Sequence, residues 1–290
     1  MKPAAFSYHR PASLEDALAL LARFGGDAKP LAGGQSLVPM MNMRLASPPH
    51  LVDLNDLSEL AQVRVRGDRL EVGALARHRT LAESALVAEH CPLLAQAART
   101  IAHSAIRERG TLGGSLAHAD PAAQHTLVAV TLGAQLTLAR QGGQRVVDAQ
   151  DFLLSAMTTA LQPDEIVLAV SYPCVTAGEV SAWRMFNQRH GDYALVAVAA
   201  TLALEQGRVR SLRLGIGGVA PVPQRLDAVA QAFLGRAASA DWVAAVARAA
   251  RDAVTPEDQP GIPALYRKEL TETLVARALA RCLERSGTVA

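Results

Sequence analysis

Two pairs of adjacent glycines, each followed by small polar side chains, are the residues of this chain whose types and spacing could bind an anion. The pairs lie within residues 32–36 and 111–115, about 80 residues apart. A turn of this kind can direct several free backbone N–H groups at one phosphate, and hydroxyl and amide side chains add further donors. Ser36 is also placed to cap a short helix whose positive end would face the phosphates. The candidate contacts for a nucleotide diphosphate are Ala32, Gly33, Gly34, Gln35, Ser36, Thr111, Leu112, Gly113, Gly114 and Ser115.

A third glycine motif, residues 215–220, fits the G-x-G-x-x-A pattern of dinucleotide-binding turns. Pro221 and Pro223 stand where the phosphate-binding helix of such a motif would continue, and no βαβ pattern surrounds the match. We therefore interpret this motif as a structural turn.

The elements that must position these turns are short helices and strands. Up to residue 177 the patterns predict a helix from Ser13 to Gly25, strands at 29–32, 51–54 and 166–170, a hairpin over 63–72 closed at Gly67-Asp68, and a helix over 93–105. Beyond a break near residue 177 they predict long strands at 194–204 and 208–216 and helices near 224–234, 241–253 and 264–283. The mixture predicts an α+β fold.

Composition excludes several classes of protein. The net charge is +2, with 29 basic and 27 acidic residues mixed along the chain, so no basic surface for nucleic acid is indicated. The longest apolar run, residues 194–204, falls well short of the roughly 20 residues that span a bilayer. No apolar segment typical of a secretory signal opens the chain, so we predict a cytoplasmic protein.

The spacing of metal-binding residue types does not indicate a metal site. Cys91, Cys174 and Cys282 are far apart, which argues against a disulfide framework and against an iron–sulfur cluster held by this chain. No histidine lies in a recognisable zinc or iron motif, and no Ser/His/Asp or Cys/His arrangement has supporting context. We assign no catalytic residue and no metal ligand. Three arginines near the second turn could balance the charge of a phosphate, or they could be solvated cations at helix ends. They are Arg99, Arg107 and Arg109.

Residues 32–41 and 111–123 resemble the two FAD-binding signatures of the flavoprotein (medium) subunit of molybdenum hydroxylases, which belong with xanthine dehydrogenase. The likeness is greatest to the carbon monoxide dehydrogenase type. Residues 189–194 and 215–221 resemble weaker patterns of that family's C-terminal domain, so the resemblance covers nearly the whole chain.

The resemblance implies a two-subdomain FAD-binding domain of the vanillyl-alcohol-oxidase (PCMH) type over residues 1–177, followed by a small α+β C-terminal domain over 178–290. The subdomains would cover about 1–57 and 58–177, each carrying one glycine turn. Gln124 would lie near the ribose, where the family favours Asp, and many members have Asn at the position of Ser115. Leu161 and Tyr193 are weaker candidates for contact with the flavin or adenine rings.

The resemblance also implies a role in electron transfer. A large molybdenum-cofactor subunit would oxidise the substrate, and a small subunit with two 2Fe–2S clusters would relay electrons to FAD in this chain. FAD would pass them to a quinone, NAD or oxygen, within a dimer of heterotrimers. Two alternatives stay open: a free-standing FAD-dependent oxidoreductase of the same fold, and an assembly module that has lost FAD.

Overall fold

A computed structural model describes residues 2–287 of the chain, in which helices and strands are mixed as an α+β fold requires. The strands are β1 (Ser7–His9), β2 (Ala28–Leu31), β3 (His50–Asp53), β4 (Val63–Arg66), β5 (Arg69–Gly73), β6 (Gln135–Arg140), β7 (Gly143–Asp148), β8 (Leu153–Ser155), β9 (Thr158–Thr159), β10 (Ile166–Pro173), β11 (Glu179–Phe186), β12 (Val196–Glu205), β13 (Arg208–Gly217) and β14 (Gln224–Arg225). The helices are α1 (Leu14–Phe24), α2 (Leu37–Asn42), α3 (His78–Glu83), α4 (Ala85–His90), α5 (Pro92–Ala98), α6 (Ser104–Arg109), α7 (Leu112–His118), α8 (Gln124–Leu132), α9 (Ala149–Phe152), α10 (Asp227–Ala232), α11 (Ala240–Ala253) and α12 (Ala264–Arg285).

The first unit is a parallel three-stranded sheet in the order β1-β3-β2, with α1 packed against it. Helix α1 begins where predicted because the Ser13 hydroxyl accepts a hydrogen bond from the Asp16 N–H at 3.1 Å. Its apolar stripe buries Ala17 and Leu21 in a core shared with β3. This unit carries the first glycine turn between β2 and α2.

The second unit is an antiparallel sheet in the order β4-β5-β10-β6-β7. The predicted hairpin is confirmed, since β4 and β5 pair with Arg66 opposite Arg69. Helices α3 to α8 connect β5 with β6, and all nine residues of α8 are buried. The second glycine turn opens α7 within this helical segment.

The predicted continuous helix over 93–105 is wrong. Helix α5 ends at Ala98, Ala102 has a positive φ of 38°, and α6 begins at Ser104. The carbonyls of Ile101 and Ala102 accept hydrogen bonds from Arg107 Nη1 at 2.8 and 2.9 Å. These bonds stabilise a break that apolar periodicity does not reveal.

The third unit is the antiparallel sheet β11-β12-β13-β14, covered by α10, α11 and α12. The two long strands and three helices predicted here are confirmed. Residues 215–217 lie on β13, and no helix follows until Asp227, so the third glycine motif is a strand end and turn. Gly215 and Gly217 face α8, which joins this sheet to the second unit.

Residue 177 lies in the connection between β10 and β11, and the domain boundaries stay a prediction. One hydrophobic core crosses this point, because Trp183 and Ala194 pack in the same cluster as Leu127 and Tyr172. Within residues 2–287, no helix is long and apolar enough to cross a membrane.

Candidate functional site

A cleft of about 1080 Å³ lies where the first two units meet, and a loop of the third unit contributes to its wall. The volume is at the upper end for small-molecule pockets, which suits a ligand of dinucleotide size. All the predicted contact residues line it except Leu112, which is fully buried in the core. The lining members are Ala32, Gly33, Gly34, Gln35, Ser36, Thr111, Gly113, Gly114, Ser115, Gln124, Leu161 and Tyr193.

The first glycine turn has the chemistry of an anion site. It connects β2 to α2, and its carbonyls are engaged: Gly34 accepts from the Val38 N–H and Ser36 from the Met40 N–H, both at 3.1 Å. The N–H groups of residues 33–36 donate to no acceptor within the described part of the chain. The Ser36 hydroxyl makes no capping bond in this structure. The turn therefore offers several donors to one ligand.

The second glycine turn is built differently, and the prediction of free N–H groups there is wrong. The N–H groups of Leu112 and Gly113 donate to the carbonyls of Ala76 and Ala74 at 3.0 and 2.8 Å. Those of Gly114 and Ser115 donate to the Thr111 hydroxyl and carbonyl. The turn docks α7 onto the end of β5, and its remaining donors toward the cleft are hydroxyl groups.

Gly33 of the first turn packs directly against Arg109 and Gly110, the two residues that lead into the second turn. A Cβ on Gly33 would overlap the carbonyl oxygen of Arg109 and would lie 2.8 Å from the Cα of Gly110. No side chain fits there unless the turns move apart. The glycine is therefore required by this close approach.

The remaining predicted contacts lie on three walls. Gln124 is the first residue of α8 and is buried, so its amide lies at a helix N-terminus. Leu161 is half-buried on the side wall. Tyr193 comes from the loop between β11 and β12 and is 59% exposed. Desolvation at the cleft wall, and secondly the Asp120 carboxylate, raise the pKa of Tyr193, so its hydroxyl stays a donor at neutral pH.

Sequence reasoning missed a buried histidine pair beneath the second turn. His78 Nδ1 and His125 Nε2 are 3.0 Å apart, and His78 reaches the cleft wall. Burial, together with Arg77 and Arg107, lowers the pKa of His78 to about 4. Burial also lowers the pKa of His125 well below its usual value, and His78 contributes to this shift. Both rings are neutral at pH 7, and nothing in the local sequence indicates their pairing across 47 positions.

Two of the arginines considered for phosphate neutralisation have structural roles. Arg99 Nε donates to the Ala82 carbonyl at 3.0 Å, and Arg107 holds the break between α5 and α6. Arg109 contributes its carbonyl, which accepts a hydrogen bond from Arg77. Among residues 2–287, no group of three or more His, Cys, Asp or Glu residues could hold a metal ion.

Comparison with known proteins agrees with this architecture. The family model described as the FAD-binding domain in molybdopterin dehydrogenase matches residues 4–175, and that of the CO dehydrogenase flavoprotein C-terminal domain matches 181–282. The chain is 38% identical to subunit alpha of the 6-hydroxypseudooxynicotine dehydrogenase complex of Paenarthrobacter nicotinovorans, over 99% of this chain and 97% of that protein. It is 35% identical to the caffeine dehydrogenase subunit beta of Pseudomonas sp. (strain CBB1), over 98% and 97%.

A solved structure is similar throughout. A chain of the carbon monoxide dehydrogenase of Hydrogenophaga pseudoflava, in a form lacking the Mo-pyranopterin moiety of its cofactor, superposes with a TM-score of 0.94 at 36% identity. The match covers 98% of this chain and 99% of that one.

Proposed function

The chain belongs to the FAD-binding medium subunits of the molybdenum hydroxylase family, and on that premise we propose that it carries electrons from iron–sulfur clusters of a partner subunit to a terminal acceptor. The acceptor would be a quinone, NAD or oxygen. The observation that carries the proposal is the cleft, whose first glycine turn presents unpaired N–H groups beside hydroxyl donors of the second.

The residues of the cleft fit FAD. The N–H groups of residues 33–36 would hold the diphosphate, and the hydroxyls of Thr111 and Ser115 would donate from the opposite side. The Gln124 amide oxygen can accept from ribose hydroxyls. When bound, FAD supplies reversible uptake of one or two electrons.

This chain's own residues would bind and orient the flavin rather than perform acid–base chemistry. His78 is neutral because burial depresses its pKa, and Glu165, on the cleft wall, is ionised because Arg145 Nε and Nη2 donate to it at 2.7 Å. Tyr193 and Leu161 would pack against ring surfaces and reduce water access. No proton transfer by this chain is needed for electron transfer.

The metal centres would belong to partner subunits: a large subunit with the molybdenum cofactor and a small subunit with two 2Fe–2S clusters, in a dimer of heterotrimers. The two relatives described above are both named as subunits, which supports a multi-subunit complex. Burial raises the pKa of Cys91 and of Cys282 to about 12, which disfavours these two residues as thiolate ligands of a cluster on this chain. All three cysteines are free, in keeping with a cytoplasmic location.

The test is to purify the chain with an affinity tag from its native host and to quantify FAD, iron and molybdenum per copy. About one FAD, four irons and one molybdenum would support the heterotrimer, because the two clusters hold two irons each. FAD without either metal would favour a free-standing oxidoreductase. Absence of FAD would contradict both and leave an assembly module.

A further inference from the structure

A continuous hydrogen-bonded bridge links the two glycine turns behind the cleft. Asn55 Nδ2 donates to the Ala32 carbonyl at 2.9 Å, and Asn55 Oδ1 accepts from Arg77 Nη2 at 2.7 Å. The other terminal nitrogen of the guanidinium, Nη1, donates to the Arg109 carbonyl. The bridge therefore begins next to Gly33 and ends at the carbonyl against which Gly33 packs.

The orientation of Asn55 is fixed by its neighbours. Asp53 Oδ1 accepts from both the backbone N–H and the side-chain amide of Asn55, and the hydroxyl of Tyr8 donates to Asp53 Oδ2. A flipped amide would place its NH₂ group against the guanidinium of Arg77 and its oxygen against the carbonyl of Ala32. Only one orientation of the amide satisfies its three partners, the Ala32 carbonyl, the Asp53 carboxylate and the Arg77 guanidinium, so the bridge has a single geometry.

The bridge also determines where the first turn points its donors. In a trans peptide unit the carbonyl and the following N–H point in opposite directions. Because the Ala32 carbonyl is directed at Asn55, the Gly33 N–H of the same unit is directed away from Asn55. Ala32 and Gly33 line the cleft and Asn55 does not, so this N–H is turned toward the ligand side.

We propose that Asn55 and Arg77 are positioning residues that set the separation of the two glycine turns for the diphosphate of FAD. The inference rests on the proposed function. Burial and the nearby charge of Arg109 both lower the pKa of Arg77, which is half-buried. An anion in the cleft would offset this concentration of positive charge. The guanidinium is nevertheless charged at neutral pH.

The test is a double-mutant cycle on FAD binding by the full chain, with Arg77→Met, Asn55→Ala and the double variant titrated by quenching of flavin fluorescence. We expect each single variant to raise the Kd for FAD roughly 10- to 100-fold, the loss expected for charge-assisted hydrogen bonds. The double variant should be no weaker than the weaker single variant, because the two residues form one bridge. Arg79→Met is the matched control, since the partners of Arg79 within residues 2–287 are Glu83 and Glu108 and it does not line the cleft.

Two further measurements separate positioning from general stability. Riboflavin, which has no phosphate, should bind wild type and variants alike, and Arg77→Lys, which keeps the charge and most of the side chain, should recover part of the loss. If Arg77→Met does not fold, Arg77→Lys and Asn55→Ala carry the test. If wild type binds FAD and the variants have Kd values for FAD within about twofold of its value, this inference is overturned but the proposed function is not. An equal loss of affinity for riboflavin has the same consequence. Absence of FAD also from the wild-type complex purified from the native host overturns the proposed function as well.

Discussion

Gly33 is the residue at which the two halves of the cleft touch, and it has no room for a side chain. We expect Gly33→Ala to force the turns apart and to raise the Kd for FAD. Overpacking of about 1–3 kcal/mol corresponds to roughly 5- to 150-fold weaker binding. Gly143→Ala is the control, because a Cβ there meets nothing within 4 Å and the residue lies away from the cleft. Unchanged FAD binding by Gly33→Ala would show that the contact is not maintained in solution.

The buried histidine pair makes stability depend on pH. Because the pKa of His78 is about 4 in the folded chain and near 6.5 when exposed, the unfolded chain binds more protons below pH 6.5. The folded chain, in which His78 is neutral, is therefore fully stable with respect to this group above pH 6.5. It loses that stability as the pH falls toward 4. We expect protonation of His78 to reduce the free energy of unfolding by about 2 kcal/mol at pH 5 relative to pH 7, and the lowered pKa of His125 to act in the same direction.

Urea unfolding of wild type and His125→Gln at the two pH values measures this dependence. The variant should lose less stability on acidification because one proton-binding site is gone. The control is His190→Gln, which changes an exposed histidine and should keep the wild-type dependence. An identical pH dependence in His125→Gln and wild type would contradict the assignment.

At the scale of elements, β13 carries glycines where another strand would carry side chains, and α8 occupies the space. A Cβ on Gly215 would overlap Thr131 Oγ1 and lie 3.0 Å from Leu127 Cδ1. We expect Gly215→Ala to reduce the free energy of unfolding by about 1–3 kcal/mol, as overpacking does.

The matched test of this contact adds Thr131→Ala, which removes the overlapping hydroxyl. The double variant should regain part of the stability lost by Gly215→Ala, measured by urea unfolding. Strictly additive losses would mean that the strand and helix do not meet at this point.

The elements that sequence patterns predicted well are those with local signals. The Ser13 cap, the Gly67-Asp68 hairpin and the two long apolar strands all depend on neighbours in the chain. The break after Ala98 depends instead on Arg107 reaching back to two carbonyls, and the apolar spacing continues across it. Local patterns cannot report a bond of that kind.

The candidate site shows the same limit. The two glycine pairs were visible in the sequence, and the structure brings them to one cleft. Whether their N–H groups are free is decided by partners such as Ala74 and Ala76, which lie roughly 35 residues before the second turn. The bridge through Asn55 and Arg77 depends on contacts between separate units and has no motif of its own.

At the scale of the whole molecule, residue 177 lies between the segments that the two family models match. One hydrophobic core nevertheless contains residues from both sides of it. Helix α8 is buried in all nine residues, and β13 of the third unit covers part of it. Trp183, Ala194 and Ala197 belong to the core that contains Leu127. A fragment of residues 1–177 would expose this apolar surface to water.

We therefore expect that fragment not to fold independently, although it contains both glycine turns. It should lack a cooperative urea transition by circular dichroism and should bind 1-anilinonaphthalene-8-sulfonate through its exposed core. The full chain under the same conditions is the control. A fragment with a cooperative transition and FAD binding equal to that of the full chain would show that the third unit contributes neither the cover of α8 nor the Tyr193 wall of the cleft. The dependence on β13 gives a physical reason for the C-terminal unit to accompany the FAD-binding units: it completes their core as well as the cleft.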